Sequence, residues 1–416
     1  MNADLAPCAF IERDFARQCA FLAELVRTPS DNPPGDCSPL AARTATLLGE
    51  LGLAVEVHPV PAATAQAAGM RSATNLIVRQ RFGTGDPCVA LNAHGDVVPP
   101  GLGWTQDPYG AAIVEDAQHG PCMYGRGVAV SKSDFATYTW ALLALRQWPG
   151  AARRLAGSIE LHFTFDEETG GDIGPRWLLA QGLSRPDYAI CAGFAHAVTT
   201  AHNGCLHLEV TVRGRQAHAA MPQTGIDALA ACVPILQRLY ALRATLASRH
   251  SRVSGIDHPT LNIGLIEGGI NTNVVPDRVS FRLDRRIIPE EDAAEVEAEL
   301  RAQIEAAHTP GIELSIRRLL LAQPLMMLPG AERLTQLLQW HGAAVFGEPV
   351  AAHGVPLYTD ARHYAAAGIP TVLYGAGPRT LEQAHAHAAD EHLRLSDLRG
   401  ATQAVAAALA ELLQAG

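Results

Sequence analysis

Three consecutive carboxylates end an alternating apolar stretch in residues 160–171, ELHFTFDEETGG. Asp166, Glu167 and Glu168 carry like charges that repel one another, and the apolar run before them predicts a buried strand. Carboxylates at the end of a buried strand need a compensating positive charge. The run therefore favours a divalent cation here, with Glu168 as a ligand and Glu167 as a general base that reaches a metal-bound water.

Histidines in other stretches could complete such a site. His94 ends the apolar run PCVALNAH, and Asp96 follows on the same face of an extended chain, where it could hold the second imidazole nitrogen. The run AHAHAADEH offers His385, His387 and His392. Taken singly, each residue is more often a surface or hydrogen-bonded group than a ligand. Their combination with the carboxylates is what indicates a metal site.

The order of strands and helices predicts where these residues meet. Over the first 200 residues strands alternate with helices, which is typical of an α/β domain with a largely parallel sheet. Ligands of such sheets bind beyond the carboxyl ends of the strands. Both HGD (94–96) and DEE (166–168) fall at such ends. The two motifs are therefore expected at one edge of the sheet.

A second pattern interrupts the α/β order. From LHLEVTVRG onward the elements run βαββαβ, a ferredoxin-like unit that carries His218 in VRGRQAHAAMP. α/β character then returns towards the C-terminus. We therefore expect a discontinuous catalytic domain, residues 1–205 and 319–416, with a second domain, residues 206–318, inserted in it.

Composition argues against two classes of partner. The chain is 48% hydrophobic and 18% charged, with a formal net charge of −10. No basic stripe exists to neutralise phosphates, so a nucleic-acid partner is not expected. Apolar runs stop well short of the roughly 18 residues that span a membrane. The N-terminus lacks signal-peptide features, and the eight cysteines form no C-x-x-C pair. These features favour a cytoplasmic protein with reduced thiols.

Motifs along nearly the whole chain resemble the M20 metallopeptidase family, which includes acetylornithine deacetylase, succinyl-diaminopimelate desuccinylase, aminoacylase-1 and glutamate carboxypeptidase. They are HGDVVP, YGRG, TFDEETGG, GRQAHAAMP, NTNVVPD with DRRIIPEE, TDARHYAAAGIPTVLYGAG and HAADE. The resemblance implies a zinc-peptidase-like α/β catalytic domain. It also implies that the inserted unit is a lid and dimerisation domain, and hence a homodimer or larger homo-oligomer.

The resemblance further implies roles for single residues. The family commonly carries two divalent ions. His94 would be a ligand of the first ion, Glu168 and His387 would be ligands of the second, and Glu167 would be the base. His218 would reach across a dimer to stabilise the oxyanion. The residues implied to bind the substrate, with the arginine on a carboxylate, are Asn273, Arg286, Gly375 and Gly377.

Two ligand positions of the family pattern hold residues that cannot bind a metal. The bridging aspartate normally follows GRG by three residues, and this chain has Val130 there. The other acid of the first site would fall at Ala192 or Gly193. Asp134 is a candidate replacement, although it would lie about one turn into the following helix.

The surviving residues predict one ion per chain. The ions of two-metal sites lie only about 3.5–4 Å apart, so His94, Glu168 and His387 could converge on a single ion between them. Two histidines and one glutamate with an open position suit zinc, and a similar set suits manganese, cobalt or iron. His196 could add a nitrogen ligand, but a structural role is expected for it.

Three functional hypotheses follow. The leading one is a metal-dependent hydrolase of an amide-type C–N bond in a small carboxylate-bearing substrate, with an aminohydrolase (deaminase) of an aromatic amino acid as the alternative within the family. The second is a catalytically inactive, metal-free descendant that binds a ligand, against which the retained acidic site argues. The third is a nucleophilic cysteine, Cys122 or Cys191, for which no motif supplies a base.

Overall fold

The computed structural model describes residues 6–83 and 86–415, and the chain divides into two compact units. The first unit comprises residues up to Thr200, Met327–His353 and residues from Thr359 on. The second comprises Ala201–Met326 and Gly354–Tyr358. No helix of the described segments is long and apolar enough to cross a membrane.

The described residues contain eleven α-helices and fifteen strands. The helices are α1 Ala6–Val26, α2 Ser38–Glu50, α3 Ala62–Ala67, α4 Lys132–Arg146, α5 Ala151–Arg154, α6 Pro175–Ala180, α7 Ala228–Leu246, α8 Ala293–Glu305, α9 Ala331–Phe346, α10 Ala361–Ala366 and α11 Leu395–Leu412. The strands are β1 Val55–Pro59, β2 Thr74–Arg81, β3 Cys88–His94, β4 Ala112–Asp116, β5 Gly120–Tyr124, β6 Ser158–Thr164, β7 Tyr188–Cys191, β8 Ala197–His202, β9 Gly204–Arg213, β10 Thr260–Gly268, β11 Arg278–Ile287, β12 Glu313–Ala322, β13 Ala351–Val355, β14 Thr371–Leu373 and β15 His392–Arg394.

An eight-stranded sheet organises the first unit, with the strand order β1-β2-β6-β3-β7-β14-β8-β13. The four central strands β6, β3, β7 and β14 are parallel. The pairs β1–β2, β2–β6 and β14–β8 are antiparallel. The central strands are buried along nearly their whole length, as parallel strands covered on both faces must be. The α/β class is therefore confirmed, with parallel pairing among the four central strands.

Helix α4 is the most buried helix of the first unit. Its residues from Lys132 to Leu145 are all buried, polar side chains included, so other parts of the chain cover every face of this stretch. It packs on β3 and β6, while α1 and α11 pack on α4, and α10 packs on β7 and β14.

Parallel pairing brings the two motifs of interest to one edge of the sheet. Strand β3 ends at His94, which is the register partner of Thr164, the last residue of β6. The HGD segment begins at His94 itself, and the DEE segment begins two residues after Thr164. The expectation that both motifs share the carboxyl edge follows from this register.

The second unit has ferredoxin-like topology. Its strands form an antiparallel sheet of order β10-β11-β9-β12, and its elements run βαββαβ along the chain. Helices α7 and α8 each begin at an aspartate, Asp227 and Asp292, whose side chain accepts two backbone N–H groups of the first turn. Leu206 and Leu208 of β9 and Leu283 of β11 belong to the apolar core that also contains buried residues of α7 and α8.

Candidate active site

Asp96 joins the HGD loop to the DEE turn. Its fully buried carboxylate accepts the backbone N–H of Glu167 at 3.1 Å, the N–H of Glu168 at 3.1 Å and the side-chain amide of Asn32 at 3.0 Å. His94 Nδ1 lies 3.4 Å from Asp96 Oδ1 and 3.1 Å from the Asp96 carbonyl oxygen. Asp96 therefore orients the imidazole and both glutamates together, as residues that support metal ligands do.

His94, Glu167 and Glu168 converge on one point. One potential ligand atom from each lies within 4.8 Å of the other two, and His94 Nε2 is 4.0 Å from Glu167 Oε2. Because Nδ1 of His94 is already engaged by Asp96, Nε2 is the nitrogen that faces the carboxylates. The structure thus brings together three of the residues singled out in the sequence.

His387 approaches the same carboxylates from the loop before β15. Its Nε2 lies 3.2 Å from Glu168 Oε1, yet that oxygen accepts no well-formed hydrogen bond from the described residues. An imidazole nitrogen and a carboxylate oxygen at this separation can pair directly, and both atoms are also of the kinds that bind a zinc-like cation. His387 contacts Glu168 but lies outside the group of three that converges within 4.8 Å. Glu168 is thus the residue common to both contacts.

The backbone at His387 has an uncommon conformation. Its φ is 60°, and the nearby His385 and Asp390 are also left-handed, with φ of 51° and 58°. Left-handed residues other than glycine are uncommon and cluster at functional sites. His385 Nδ1 lies 3.2 Å from the carbonyl oxygen of Ala389, and His392 stacks on Tyr124. Of the three histidines in AHAHAADEH, only His387 is paired with Glu168.

The positions that lack acids hold Val130 and either Ala192 or Gly193. Val130 and Ala192 both pack against the hydrophobic core of the first unit. Asp134 does not take their place, because its buried carboxylate accepts the backbone N–H of Gly193 at 3.2 Å and of Ala376 at 2.6 Å. Burial raises its pKa to about 7 even though these hydrogen bonds favour the ionised form. Asp134 therefore links the backbone at Gly193 to the backbone at Ala376 through hydrogen bonds.

Packing alone explains the glycines at 375 and 377. A Cβ atom on Gly375 would overlap the Asp134 carboxylate, and one on Gly377 would overlap the carbonyl oxygen of Gly193. Gly377 also donates to that carbonyl at 2.8 Å and accepts the N–H of Ala195 at 2.9 Å. Contact of Gly375 and Gly377 with a substrate remains a prediction.

A buried ion pair holds the loop before α4. Arg126 and Glu391 pair at 2.6 Å, and each side chain is 1% exposed. The other carboxylate oxygen of Glu391 accepts the N–H groups of Ala129 at 3.0 Å and Val130 at 3.2 Å. Sequence reasoning missed both members of the pair, as it missed Asn32, although Arg126 lies in the quoted motif YGRG and Glu391 in HAADE.

The structure disfavours His196 as a metal ligand and Cys122 or Cys191 as a nucleophile. Both ring nitrogens of His196 face carboxylates, Glu348 at 2.9 Å and Asp397 at 3.1 Å, so a structural role is favoured over metal binding. Burial raises the pKa of the Cys191 thiol well above its usual range, and burial also raises the pKa of Cys122. Because the thiolate is the nucleophile, these shifts disfavour a cysteine mechanism.

The remaining site residues lie in the second unit. His218 forms an isolated β-bridge with Val274, and the N–H of Ala219 donates to the carbonyl of Asn273, so His218 and Asn273 are neighbours. Both are exposed. Arg286 donates from Nε to Asp284 Oδ1 at 3.0 Å.

Carboxyl groups crowd the edge of the central sheet. The acids are Asp96, Asp166, Glu167, Glu168 and Asp360. Burial raises the pKa of Glu167 to about 8; the charge of His94 opposes this shift, and the charges of Glu168 and Asp96 add to it. Burial, together with the charges of neighbouring carboxylates, raises the pKa of Asp166 and Asp360 well above its usual range. Such groups take up protons unless a cation neutralises them, so the residues present fit a divalent ion.

Loading the metal-free protein with Zn²⁺ is expected to release protons. Burial disfavours the charge of His94, but the hydrogen bond with Asp96 and the neighbouring carboxylates raise its pKa well above the usual value. At pH 7 His94 and Glu167 therefore hold protons that a bound cation displaces, so metal affinity should fall as the pH falls. An indicator dye in weakly buffered solution measures the release. Glu167→Gln should release fewer protons than the natural protein, and equal release would contradict the assignment.

The sequence is similar to a known protein family and to several of its members. The family model "Peptidase family M20/M25/M40" matches residues 90–411. The chain is 30% identical to a succinyl-diaminopimelate desuccinylase of Acidiphilium cryptum (strain JF-5) over 336 residues, which cover 78% of this chain and 83% of that protein. It is 29% identical to an acetylornithine deacetylase of Proteus mirabilis (strain HI4320) over 347 residues, 82% of each chain.

The fold agrees with these matches. It superposes with a TM-score of 0.76 on the M20 family metallo-carboxypeptidase Sso-CP2 from Sulfolobus solfataricus, at 16% identity, and the match covers 95% of this chain and 98% of that one. The family model alone spans well over half of the sequence. The resemblance inferred from the motifs is thereby confirmed, and the chain belongs to peptidase family M20/M25/M40.

Proposed function

We propose that this M20 hydrolase cleaves an amide-type C–N bond in a small carboxylate-bearing substrate, with one divalent ion per chain held by His94, Glu168 and His387. The observation that carries the proposal is the turn in which Asp96 binds the backbone of Glu167 and Glu168 and orients His94. One ion is proposed because Val130, and either Ala192 or Gly193, stand where the two-ion pattern has acids.

The ion supplies one part of the chemistry. When bound, a zinc-like ion polarises a carbonyl group and lowers the pKa of a bound water. Zinc, manganese and cobalt all suit two imidazoles and one carboxylate, so the donor set does not select among them.

Glu167 supplies the proton transfers. We assign it the role of taking the proton from the attacking water and delivering it to the leaving nitrogen. Its side chain is only 14% exposed, and its carboxylate lies 4.0 Å from His94 Nε2. Asp96 fixes the Glu167 backbone and so limits the positions that the carboxylate can reach.

The substrate is proposed to be an N-acylated amino acid. The two relatives are named for removing a succinyl and an acetyl group from amino acids. An arginine guanidinium is well suited to bind a carboxylate, and we assign Arg286 this role. Asn273, Gly375 and Gly377 are proposed to add polar contacts to the substrate.

A substrate panel tests the reaction class. The protein would be stripped with a chelator, reloaded with Zn²⁺, Mn²⁺ or Co²⁺, and incubated with N-acetyl and N-succinyl amino acids, dipeptides and aromatic amino acids. Release of a free amine from an acylated substrate, lost on stripping and restored by metal, is expected. Release of ammonia from an aromatic amino acid alone would establish the aminohydrolase alternative. Saturable ligand binding with no turnover under any loading would establish the inactive descendant.

His218 is proposed to serve the active site of a second copy, and mixing two inactive variants tests this. His218→Ala should lose turnover and keep its metal, and so should Glu167→Gln. If His218 acts across a dimer, a random mixture of the two regains about a quarter of the natural activity, because half of the dimers contain one intact site. No recovery after subunit exchange, or full activity of His218→Ala alone, would contradict the proposal.

A further inference from the structure

Three potential metal ligands share one face of the sheet in the second unit. Cys205 and His207 lie two residues apart on β9, and Asp284 on β11 is the register partner of His207. Side chains of a strand alternate between faces. Since Leu206 and Leu208 point into the core with α7 and α8, Cys205, His207 and Asp284 lie on the opposite face.

The potential ligand atoms of these three residues lie close together. His207 Nε2 lies 3.2 Å from Cys205 Sγ and 2.9 Å from Asp284 Oδ2, and Sγ lies 3.6 Å from the same oxygen. The separations between ligand atoms around a tetrahedral zinc ion are about 3.4–3.6 Å for thiolate, imidazole and carboxylate. The three observed separations lie within about half an ångström of those values.

The contacts among these three residues share two atoms, Nε2 of His207 and Oδ2 of Asp284. In a nucleophile–histidine–acid relay the imidazole uses one nitrogen for each partner. Here the same nitrogen, Nε2 of His207, faces both the thiol of Cys205 and the carboxylate of Asp284. The thiol of Cys205 is also placed to donate to Asp284 Oδ2 at 3.6 Å, so that one oxygen faces both the thiol and the imidazole nitrogen. A cation at the common point would use a lone pair of all three atoms.

The surroundings support ligation. Arg286 donates to the other oxygen of Asp284, Oδ1, at 3.0 Å, which leaves Oδ2 facing the histidine and the cysteine. Polar partners of this kind orient metal ligands. The side chains of His207 and Asp284 are 36% and 29% exposed, which leaves room for a fourth ligand.

Glu209, on the same strand, belongs to a polar cluster of a different kind. The carboxylate of Glu209, two residues after His207, is bound by the guanidinium groups of Arg282 and Arg317. That cluster is neutralised by protein cations and has no convergent ligand atoms. The cluster around Cys205 instead combines sulfur, nitrogen and oxygen donors.

We propose that Cys205, His207 and Asp284 bind a zinc-class transition-metal ion with an open fourth position. One thiolate and one imidazole favour Zn²⁺ or Co²⁺ over Mg²⁺ or Ca²⁺. None of the three ligands is among the proposed catalytic ligands, although Arg286, which donates to Asp284, is also the residue proposed to bind the substrate.

Cobalt spectroscopy tests the site on the full chain. The stripped protein would be titrated with Co²⁺ alone, and a thiolate-to-cobalt charge-transfer band in the near ultraviolet should grow to saturation. Added Zn²⁺ should abolish the band. The band is diagnostic because none of the three proposed catalytic ligands is a cysteine.

Four variants decide the assignment. Cys205→Ala and His207→Gln should lose the band. His94→Ala, which disrupts the proposed catalytic site, should keep it. Cys88→Ala, which removes another cysteine as a matched control, should also keep it. If Cys205→Ala does not fold, His207→Gln at its partly exposed position decides alone. Absence of the band in the natural protein, its persistence in His207→Gln or its loss in His94→Ala would overturn the proposal.

Discussion

Glu167→Gln is expected to lower kcat by about 10²–10⁴-fold, the usual contribution of a general base. Glutamine keeps the size of the side chain and the backbone N–H that Asp96 binds, but it cannot take a proton from water. Steady-state kinetics on the best substrate of the panel, with metal content measured on the same sample, gives the result. Metal content should stay at the natural level, because Glu167 is not among the proposed ligands.

Two matched variants sharpen this expectation. Glu50→Gln makes the same change at an exposed position at the end of α2 and should leave kcat unchanged. Glu168→Gln should lose metal as well as activity, because Glu168 is the residue in contact with His387. If Glu167→Gln keeps more than a tenth of the natural kcat while fully loaded, another group is the base.

Glu391→Ala is expected to destabilise the protein by about 3–5 kcal/mol, because removal of one partner leaves a buried charge uncompensated. The guanidinium of Arg126 would lose its carboxylate, and the N–H groups of Ala129 and Val130 would lose their acceptor. Chemical denaturation with urea, at a fixed metal loading, measures the change in the free energy of unfolding.

An exposed pair provides the comparison for that change. Asp172→Ala removes the partner of Arg176, and the two side chains are 53% and 66% exposed. Solvent screens such pairs, so a loss below about 1 kcal/mol is expected. Similar losses for Asp172→Ala and Glu391→Ala would show that the buried pair does not hold the loop before α4.

Long periodic segments were predictable because their apolar pattern is set locally. The run AERLTQLLQWHGAAVF coincides with α9, and the strand read in PCVALNAH ends at His94 as expected. The βαββαβ order of the second unit was also visible, since each strand alternates and each helix begins at a capping aspartate.

Short elements could not be predicted from the sequence, because contacts with distant residues create them. Strand β15 has only three residues, His392–Arg394, and it follows a polar loop that reads as irregular. It exists because it pairs with β5, which in turn pairs with β4. No local pattern in three residues can reveal a partner almost 270 positions away.

The proximity of the candidate ligands could be predicted from the sequence, but the hydrogen bonds that hold them in position could not. The motifs identified His94, Glu167, Glu168 and His387, and the structure places the first three together and pairs His387 with Glu168. The hydrogen bond from Asn32 to Asp96 depends on chain segments that are distant in sequence, so spacing alone could not reveal it.

The number of ions per chain tests the central proposal most directly. The count is made in the Cys205→Ala background, so that a metal in the second unit does not contribute. This variant would be stripped, loaded with Zn²⁺, Mn²⁺ or Co²⁺, and analysed by plasma mass spectrometry. One ion per chain is predicted, falling to none when His387→Ala is added. Two ions per chain in Cys205→Ala, or none under any loading, would contradict a single-ion site at His94, Glu168 and His387.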